Sequence, residues 1–419
     1  MHPNALLDLT TDLLRQVLTF AAPADATVSA FFRQHKNLGV RERHALAETT
    51  YAVLRERLAL AHLAQSGSGA LERRLAALAW QGQPQLLRGA LGPREHQWLQ
   101  EVKAIDRAGL PDKLRHNLPD WLAAALQREY GEAFWPLVTA LNAPAPLDLR
   151  VNALKTKREA ARAELTAAGV AVADTPHSPW GLRVEGKPAL HKLPLFTRGE
   201  VEVQDEGSQL LAALVGAKRG EMVTDFCAGA GGKTLALGAA MRGTGRIYAM
   251  DVSGHRLAKL KPRLARSGLQ NVYTVQIAHE RDERIKRLAG KMDRVLVDAP
   301  CSGLGTLRRN PDLKWRQSPK AVEELVAKQA AILASAARLV KPGGRLVYAT
   351  CSLLRAENQD QAEAFSAAHP EFTLLPAAEA LAAAQVAAPE ALVQGDHLVL
   401  LPYAHGSDGF FAAVWQRNT

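Results

Sequence analysis

Over residues 1–140 apolar positions recur at helical spacing. Leu6, Leu9, Leu13, Leu14, Val17 and Leu18 share one face, and a run over 42–63 repeats the behaviour with Leu46, Tyr51, Val53, Leu54 and Leu58. Pro119-Asp120 starts a further predicted helix over 121–130. Nothing in this stretch alternates like a strand. The Pro-rich run Asn142-Ala143-Pro144-Ala145-Pro146 reads as a linker. Beyond it, Leu147-Asp148-Leu149-Arg150-Val151-Asn152 alternates apolar and polar, a helix is predicted over 157–168 ending at Gly169, and short extended pieces fall at 182–184 and 201–203. That is a small α+β unit.

From Gly220 the pattern becomes strand, loop, helix, repeated. Short apolar runs at 222–227, 246–251, 272–277, 293–298 and 345–350 are separated mostly by helical segments, among them 253–266 and 319–340. Buried parallel strands alternating with helices imply a doubly wound α/β domain with right-handed crossovers. Three domains are expected: helical over 1–140, small α+β over 141–205 and doubly wound over 206–419. No internal repeat is apparent, although 377–391 is rich in alanine.

Charge adds a partner class. Lys and Arg number 52 against 42 Asp and Glu, a formal charge of +10, which favours an anionic partner such as nucleic acid. The three cysteines, Cys227, Cys301 and Cys351, form an odd, sparse set without a CxxC pair. That is no disulfide framework and fits a reducing compartment. Early charges (Asp8, Asp12, Arg15) break any signal-peptide pattern, and no apolar run reaches membrane-span length, so the expected location is the cytoplasm with no membrane partner.

Chemistry concentrates at strand ends. Asp225-Phe226-Cys227-Ala228-Gly229-Ala230-Gly231-Gly232-Lys233-Thr234 follows the first run and opens a helix. Glycines there permit positive φ and close backbone approach to a ligand. The spacing is neither GxGxxG nor GxxxxGK[ST], which disfavours dinucleotide and phosphate-loop readings. Asp251 ends the next strand, about 20 residues on, where an acid accepts hydrogen bonds from ribose hydroxyls. It also suits a helix N-cap. Together with the glycines it points to an adenosine ligand.

Asp298-Ala299-Pro300-Cys301-Ser302-Gly303 ends the fourth run, and Thr350-Cys351-Ser352 the fifth. If those strands are neighbours, about 4.8 Å apart, both thiols face one cavity. A lone cysteine is usually a small buried hydrophobe. Two at matched strand ends, each followed by serine, fit a reaction at cytosine C5. That carbon is a poor nucleophile, and thiolate addition at C6 makes it an enamine carbon able to attack a methyl sulfonium; a second thiol assists release. Asp298 is placed to hold the N3 or N4 edge of the base, and Lys233 to lower a thiolate pKa or touch substrate. Cys227 suits a structural role. A zinc site from Cys227, Cys301, Cys351 and His279 lacks the usual local ligand pairs, so no metal is expected.

These motifs resemble the Sun-type (Nop/Sun) RNA cytosine-5 methyltransferases, in particular the bacterial branch acting on small-subunit ribosomal RNA. The runs 227–234, 298–303 and 350–352 carry the likeness. Arg308-Arg309-Asn310-Pro311-Asp312-Leu313-Lys314-Trp315, Val203-Gln204-Asp205-Glu206-Gly207-Ser208-Gln209 and Gly409-Phe410-Phe411-Ala412-Ala413 extend it over 145–419. Phe31-Phe32-Arg33 and Arg41-Glu42-Arg43 look like the helical RNA-binding domain of that branch, similar to the antitermination factor NusB. The unit after the linker resembles an RNA-recognition-like subdomain.

The resemblance implies a Rossmann-like catalytic domain that uses S-adenosylmethionine. By position it makes Cys351 the nucleophile and Cys301 the cysteine that promotes release. Cys227, Ala228, Gly229, Ala230, Gly231, Gly232, Lys233, Asp251 and Asp298 become cofactor contacts. In DNA cytosine-5 methyltransferases the Pro-Cys cysteine attacks; the Thr-Cys-Ser cysteine here moves the assignment to Cys351. Two positions depart from the family. Gly229-Ala230-Gly231-Gly232-Lys233 stands where Ala-Pro-Gly-Gly-Lys is common, and His279, with Glu280 and Asp282 close by, stands where an acid meets adenine.

Arg308, Arg309, Lys314 and Arg316 around Trp315 read as a single-stranded RNA contact. The expected partner is therefore RNA, most simply 16S ribosomal RNA with an unstacked cytosine, bound by a monomer. Two rivals are a DNA cytosine-5 methyltransferase and a non-catalytic ribosome-assembly factor that binds RNA.

Overall fold

The computed structural model describes residues 2–419, which divide into two compact units, 2–144 with 306–319, and 145–305 with 320–419.

The first unit is helical. Its opening helix, Pro3–Val17, carries leucine doublets seven residues apart, so it feeds two cores. Leu6, Leu13 and Val17 pack with Phe31, Leu46 and Leu54, whereas Leu7 and Leu14 pack with Val53, Leu60 and Leu75. The single helix predicted over 42–63 is two, Val40–Arg55 and Arg57–Leu63, broken at Glu56 (φ −112°, ψ 27°). The break is stabilised from a distance. Asn117 Oδ1 accepts from Leu58 N (3.0 Å) and Ala59 N (3.1 Å), two first-turn donors with no intrahelical partner. Periodicity carries no trace of that contact.

The segment 306–319 belongs to this unit, and it corrects the reading of the basic cluster. Lys314 is 1% exposed, its Nζ donating to Arg55 O and to Asn142 Oδ1, each at 2.8 Å. Trp315 Nε1 donates to Leu54 O (3.0 Å) and Asp312 Oδ2 accepts from Ala24 N (3.1 Å). Lys314 and Trp315 thus cap the last carbonyls of helix Val40–Arg55, a favourable place for a cation. Lys314 is spent on packing and is not available to phosphates, and the Trp315 N–H is taken.

Burial pushes the Lys314 ammonium down to about 7 from an ordinary 10.5. Between those values the unfolded chain binds more protons than the folded one, so this lysine makes stability rise with pH across that window and contributes no slope below it. Lys314→Met is expected to remove up to about 1.4 kcal/mol of slope per pH unit there. Chemical denaturation of both proteins across that window checks it; parallel pH profiles would rule it out.

The second unit holds two sheets. The smaller joins β1 (Leu147–Val151), β2 (Val172–Asp174), β3 (Gly181–Val184) and β4 (Val201–Val203) in the antiparallel order β2-β3-β1-β4. Helix Arg158–Ala167 covers it through Ala161 and Leu165, which pack on Leu149, Val151, Leu182 and Val184.

The larger sheet contains β5 (Met222–Asp225), β6 (Arg246–Asp251), β7 (Val272–Gln276), β8 (Met292–Asp298) and β9 (Val340–Thr350). It also contains β10 (Phe372–Leu375), β11 (Val393–Gln394), β12 (His397–Leu400) and β13 (Phe410–Arg417). The order is β11-β12-β13-β9-β8-β5-β6-β7, with β10 also on β13. Strands β5 to β9 pair in parallel, and β13 returns antiparallel to β9. Val223, Ile247, Leu296 and Val347 form a core cluster at the centre of this sheet, as expected where helices cover both faces. Strand order reverses between β5 and β8, so the carboxyl ends of β5, β6, β8 and β9 open onto one crevice.

Candidate active site

Four strand ends deliver the site. Asp225 closes β5 and lies buried beneath the glycine loop, accepting from Thr234 Oγ1 at 2.6 Å; burial pushes its carboxyl up to about 7. The loop turns on Gly229 (φ 55°) and Gly231 (φ 81°). Gly229 N donates to Asp251 Oδ2 at 2.8 Å, tying the loop to the end of β6. Asp251 Oδ1 accepts from Ser253 N (2.7 Å), and the N-cap of helix Gly254–Ser267 is Ser253. Asp251 is therefore not that helix's cap.

Gly231 has no room for a side chain. A Cβ there would sit 2.1 Å from Cδ1 of the fully buried Leu260. Gly231→Ala combines a left-handed backbone with overpacking and is expected to cost roughly 2–4 kcal/mol. Chemical denaturation measures it; a loss under about 1 kcal/mol would show that the loop relaxes freely.

A cavity of about 620 Å³ opens at these strand ends, lined among others by Phe226, Cys227, Asp251, His279, Asp298 and both remaining cysteines. Beside it, Gly229 N donates to Asp251, Gly231 packs on Leu260, and Lys233 Nζ donates to Asp298 at 2.7 Å. Burial opposes the Lys233 charge, but the Asp298 carboxylate outweighs it and the ammonium is held above its ordinary value. Lys233 is thus a paired cation whose partner faces the cavity.

His279 and Glu280 line the cavity. Asp282 caps helix Glu283–Lys286, accepting from Arg284 N and Ala278 N, which hold its carboxyl below the usual range. Val252, half exposed on the same wall, Ile277 and Arg256 were not singled out by sequence. The position of Val252 directly after Asp251 was the available signal.

The two cysteines meet. Strands β8 and β9 are neighbours with Asp298 opposite Ala349, and Cys301 Sγ lies 3.4 Å from Cys351 Sγ. Both are partly exposed to the cavity. The contact with Cys351, then burial and the nearby Glu357 charge, raise the Cys301 thiol well above its ordinary value, which favours its protonated form. Cys227 is raised as well, chiefly by burial and then by Asp298 and Asp225, which makes it a poor nucleophile. Among the described residues no group of three or more His, Cys, Asp or Glu side chains is placed to hold a metal, and no helix is long and apolar enough to cross a membrane.

A Rossmann-type sheet with an adenosine-sized crevice and a thiol pair at adjacent strand ends defines a methyltransferase-like domain. Residues 212–416 match the family described as 16S rRNA methyltransferase RsmB/F, and 118–191 match its ferredoxin-like domain. A probable ribosomal RNA small subunit methyltransferase B from Synechocystis is 39% identical over 304 residues, 71% of this chain and 66% of that protein. Ribosomal RNA small subunit methyltransferase B from Salmonella newport is 34% identical over 328 residues, 78% of this chain and 72% of the relative. A methyltransferase homologue from Pyrococcus horikoshii superposes with TM-score 0.63 at 27% identity, covering 75% of this chain and all of that one.

The chain belongs to this family, the bacterial ribosomal RNA branch of the Sun-type methyltransferases. The family is one of S-adenosylmethionine-dependent enzymes with a Rossmann-like domain, preceded by a ferredoxin-like domain and a helical region. The chain spans about two thirds of the length of the curated relatives it matches.

Proposed function

We propose that this chain methylates C5 of a cytosine in 16S ribosomal RNA, with Cys351 as nucleophile and Cys301 as the group that resolves the adduct. The observation that carries this reading is the 3.4 Å approach of the two sulfurs at the rim of a cavity that Asp251 and Asp298 also line. The donor set fits an adenosine cofactor: a carboxylate at the end of β6 for ribose, apolar Val252 and Ile277 for adenine, and Glu280 or His279 for its edge. S-adenosylmethionine, when bound, supplies an electrophilic methyl group.

Cys351 Sγ adds to C6 of an unstacked cytosine, and the C5–C6 π electrons move onto C5, which would then attack the methyl group supplied by the cofactor, whose sulfur would keep the electrons of the broken S–CH3 bond. Asp298, paired with Lys233, accepts from the N4 amino group and holds the base edge. A base then removes the C5 proton, the C5–C6 double bond re-forms, and the C6–S bond breaks with its electrons returning to sulfur. The Cys301 S–H, facing Cys351 Sγ, steadies the departing thiolate.

Cys227, with its raised pKa, stays a wall residue. The helical region and the small sheet serve as RNA-binding parts, in line with the +10 charge, and the working form is a cytoplasmic monomer. Transfer of labelled methyl to 16S transcript but not to matched DNA, with bisulfite mapping of a single 5-methylcytosine, tests the reading. Label recovered at another base or only in DNA overturns it.

A further inference from the structure

Behind the thiols lies a carboxylate that the chemistry above does not use. Glu357 is 0% exposed, in the short 3₁₀ turn Arg355–Glu357 that follows the Cys351 strand. Its Oε1 accepts from Ser302 N (2.8 Å) and Gln329 Nε2 (2.9 Å). Its Oε2 accepts from Ser302 Oγ (2.5 Å) and from Ser352 Oγ. The two serines directly follow the two cysteines, and their hydroxyls lie 3.1 Å apart. Gln329 also donates to Pro300 O at 3.0 Å, holding the other side of Cys301.

The backbone that carries the carboxylate is itself anchored. Tyr348 OH donates to Glu357 O (2.7 Å), and Asn358 Nδ2 donates to Ser352 O (3.1 Å). Burying a carboxylate costs several kcal/mol unless its oxygens are filled. Four donors fill these, none of them a charged group, and the bonds gain strength from the acceptor's charge. An apolar side chain would pack here without that cost, but it would tie neither loop to the other. The feature it leaves unexplained is the convergence of both Cys-Ser pairs on one side chain.

We propose that Glu357 is a positioning residue that locks the Cys301 and Cys351 loops in one register, so that both sulfurs address the same pyrimidine. It touches neither substrate nor cofactor. Its consequence for turnover rests on the methyltransferase reading; its consequence for the two sulfurs does not. Both are therefore measured. Diamide oxidises the pair to a Cys301–Cys351 disulfide, is itself reduced to the hydrazine, and reports how often the sulfurs meet. Iodoacetamide reports each thiol separately.

Glu357→Ala is expected to slow disulfide formation about 30-fold or more and to lower kcat about 100-fold, with KM for RNA unchanged within about threefold. Iodoacetamide rates stay within about threefold. Glu357→Gln keeps one acceptor oxygen for Ser302 N and Gln329, and both serine hydroxyls can turn to accept from its amide. It should restore both readouts to within about tenfold of the parent. Ser352→Ala leaves three of the four donors, keeps the test open if Glu357→Ala does not fold, and should slow disulfide formation about fivefold.

A disulfide rate within about threefold of the parent in Glu357→Ala, or in Ser352→Ala if that is the folded variant, overturns the proposal. So does a Gln variant as impaired as the Ala one. A slowed disulfide in a protein whose parent makes no 5-methylcytosine leaves the positioning role standing and removes the proposed reaction instead.

Discussion

Replacing Cys351 by alanine is expected to lower methyl transfer by about 10⁴-fold or more, with affinities for RNA and S-adenosylmethionine unchanged within about threefold. The size follows from the substrate. Cytosine C5 has no useful nucleophilicity until C6 is attacked, so losing the attacking sulfur removes the pathway and not merely a favourable contact. Neither neighbouring thiol replaces it. Cys227 is held in its neutral form by burial and the surrounding carboxylates, and Cys301 by its partner sulfur, burial and Glu357.

Structural damage from this substitution should be small. Cys351 is partly exposed at the end of β9, and the backbone of the following Ser352 is held by Thr350 Oγ1 and Asn358 Nδ2, not by the thiol. The stability loss should stay near 1 kcal/mol. Methyl incorporation by the variant within about tenfold of the parent, at saturating RNA, would show that Cys351 is not the nucleophile.

Legibility differed between elements for physical reasons. The doubly wound sheet was readable because β5 to β9 are short buried apolar runs punctuated by helices, and because acids and cysteines fall at their carboxyl ends. Adjacency of β8 and β9 was expected, yet the pairing of Asp298 with Ala349 and the convergence of the sulfurs are tertiary facts. The basic cluster misled because local composition cannot tell a solvated lysine from one capping a helix far along the chain. Lys314 and Trp315 meet carbonyls at Arg55 and Leu54, more than 250 positions away. Asn117 is a similar case: one side chain divides an apparently continuous helix. Glu357 was invisible because a glutamate between Ala356 and Asn358 looks like surface, and only the fold puts four donors around it.

The family resemblance implies that 227–233 touches the cofactor; within that run the Gly229 N–H is bound to Asp251. Gly229 and Gly231 let the loop turn, and Gly231 admits Leu260. Phe226, Cys227, Asp251 and Asp298 are among the residues that face the cavity.

Cys301→Ala should produce the second large effect, and of a different kind: accumulation of a covalent protein–RNA complex that survives denaturation. Addition needs only Cys351, so the adduct forms and the methyl group is transferred. Release needs the C6–S bond to break with its electrons passing to sulfur, and the Cys301 S–H that faces this sulfur at 3.4 Å is then missing. Since its surroundings favour the protonated form of Cys301, its loss removes a donor, not a competing thiolate. Turnover should fall by about 10³-fold while a large fraction of enzyme migrates with RNA on a denaturing gel.

The double variant Cys301→Ala/Cys351→Ala should show no shifted band, which ties the adduct to one sulfur. Mass spectrometry of nuclease-digested complex should place the nucleotide on Cys351, carrying one methyl group. A Cys301→Ala protein that turns over at the parental rate would exclude Cys301 from release. An adduct on Cys301 in a Cys351→Ala protein would reverse the roles of the two sulfurs.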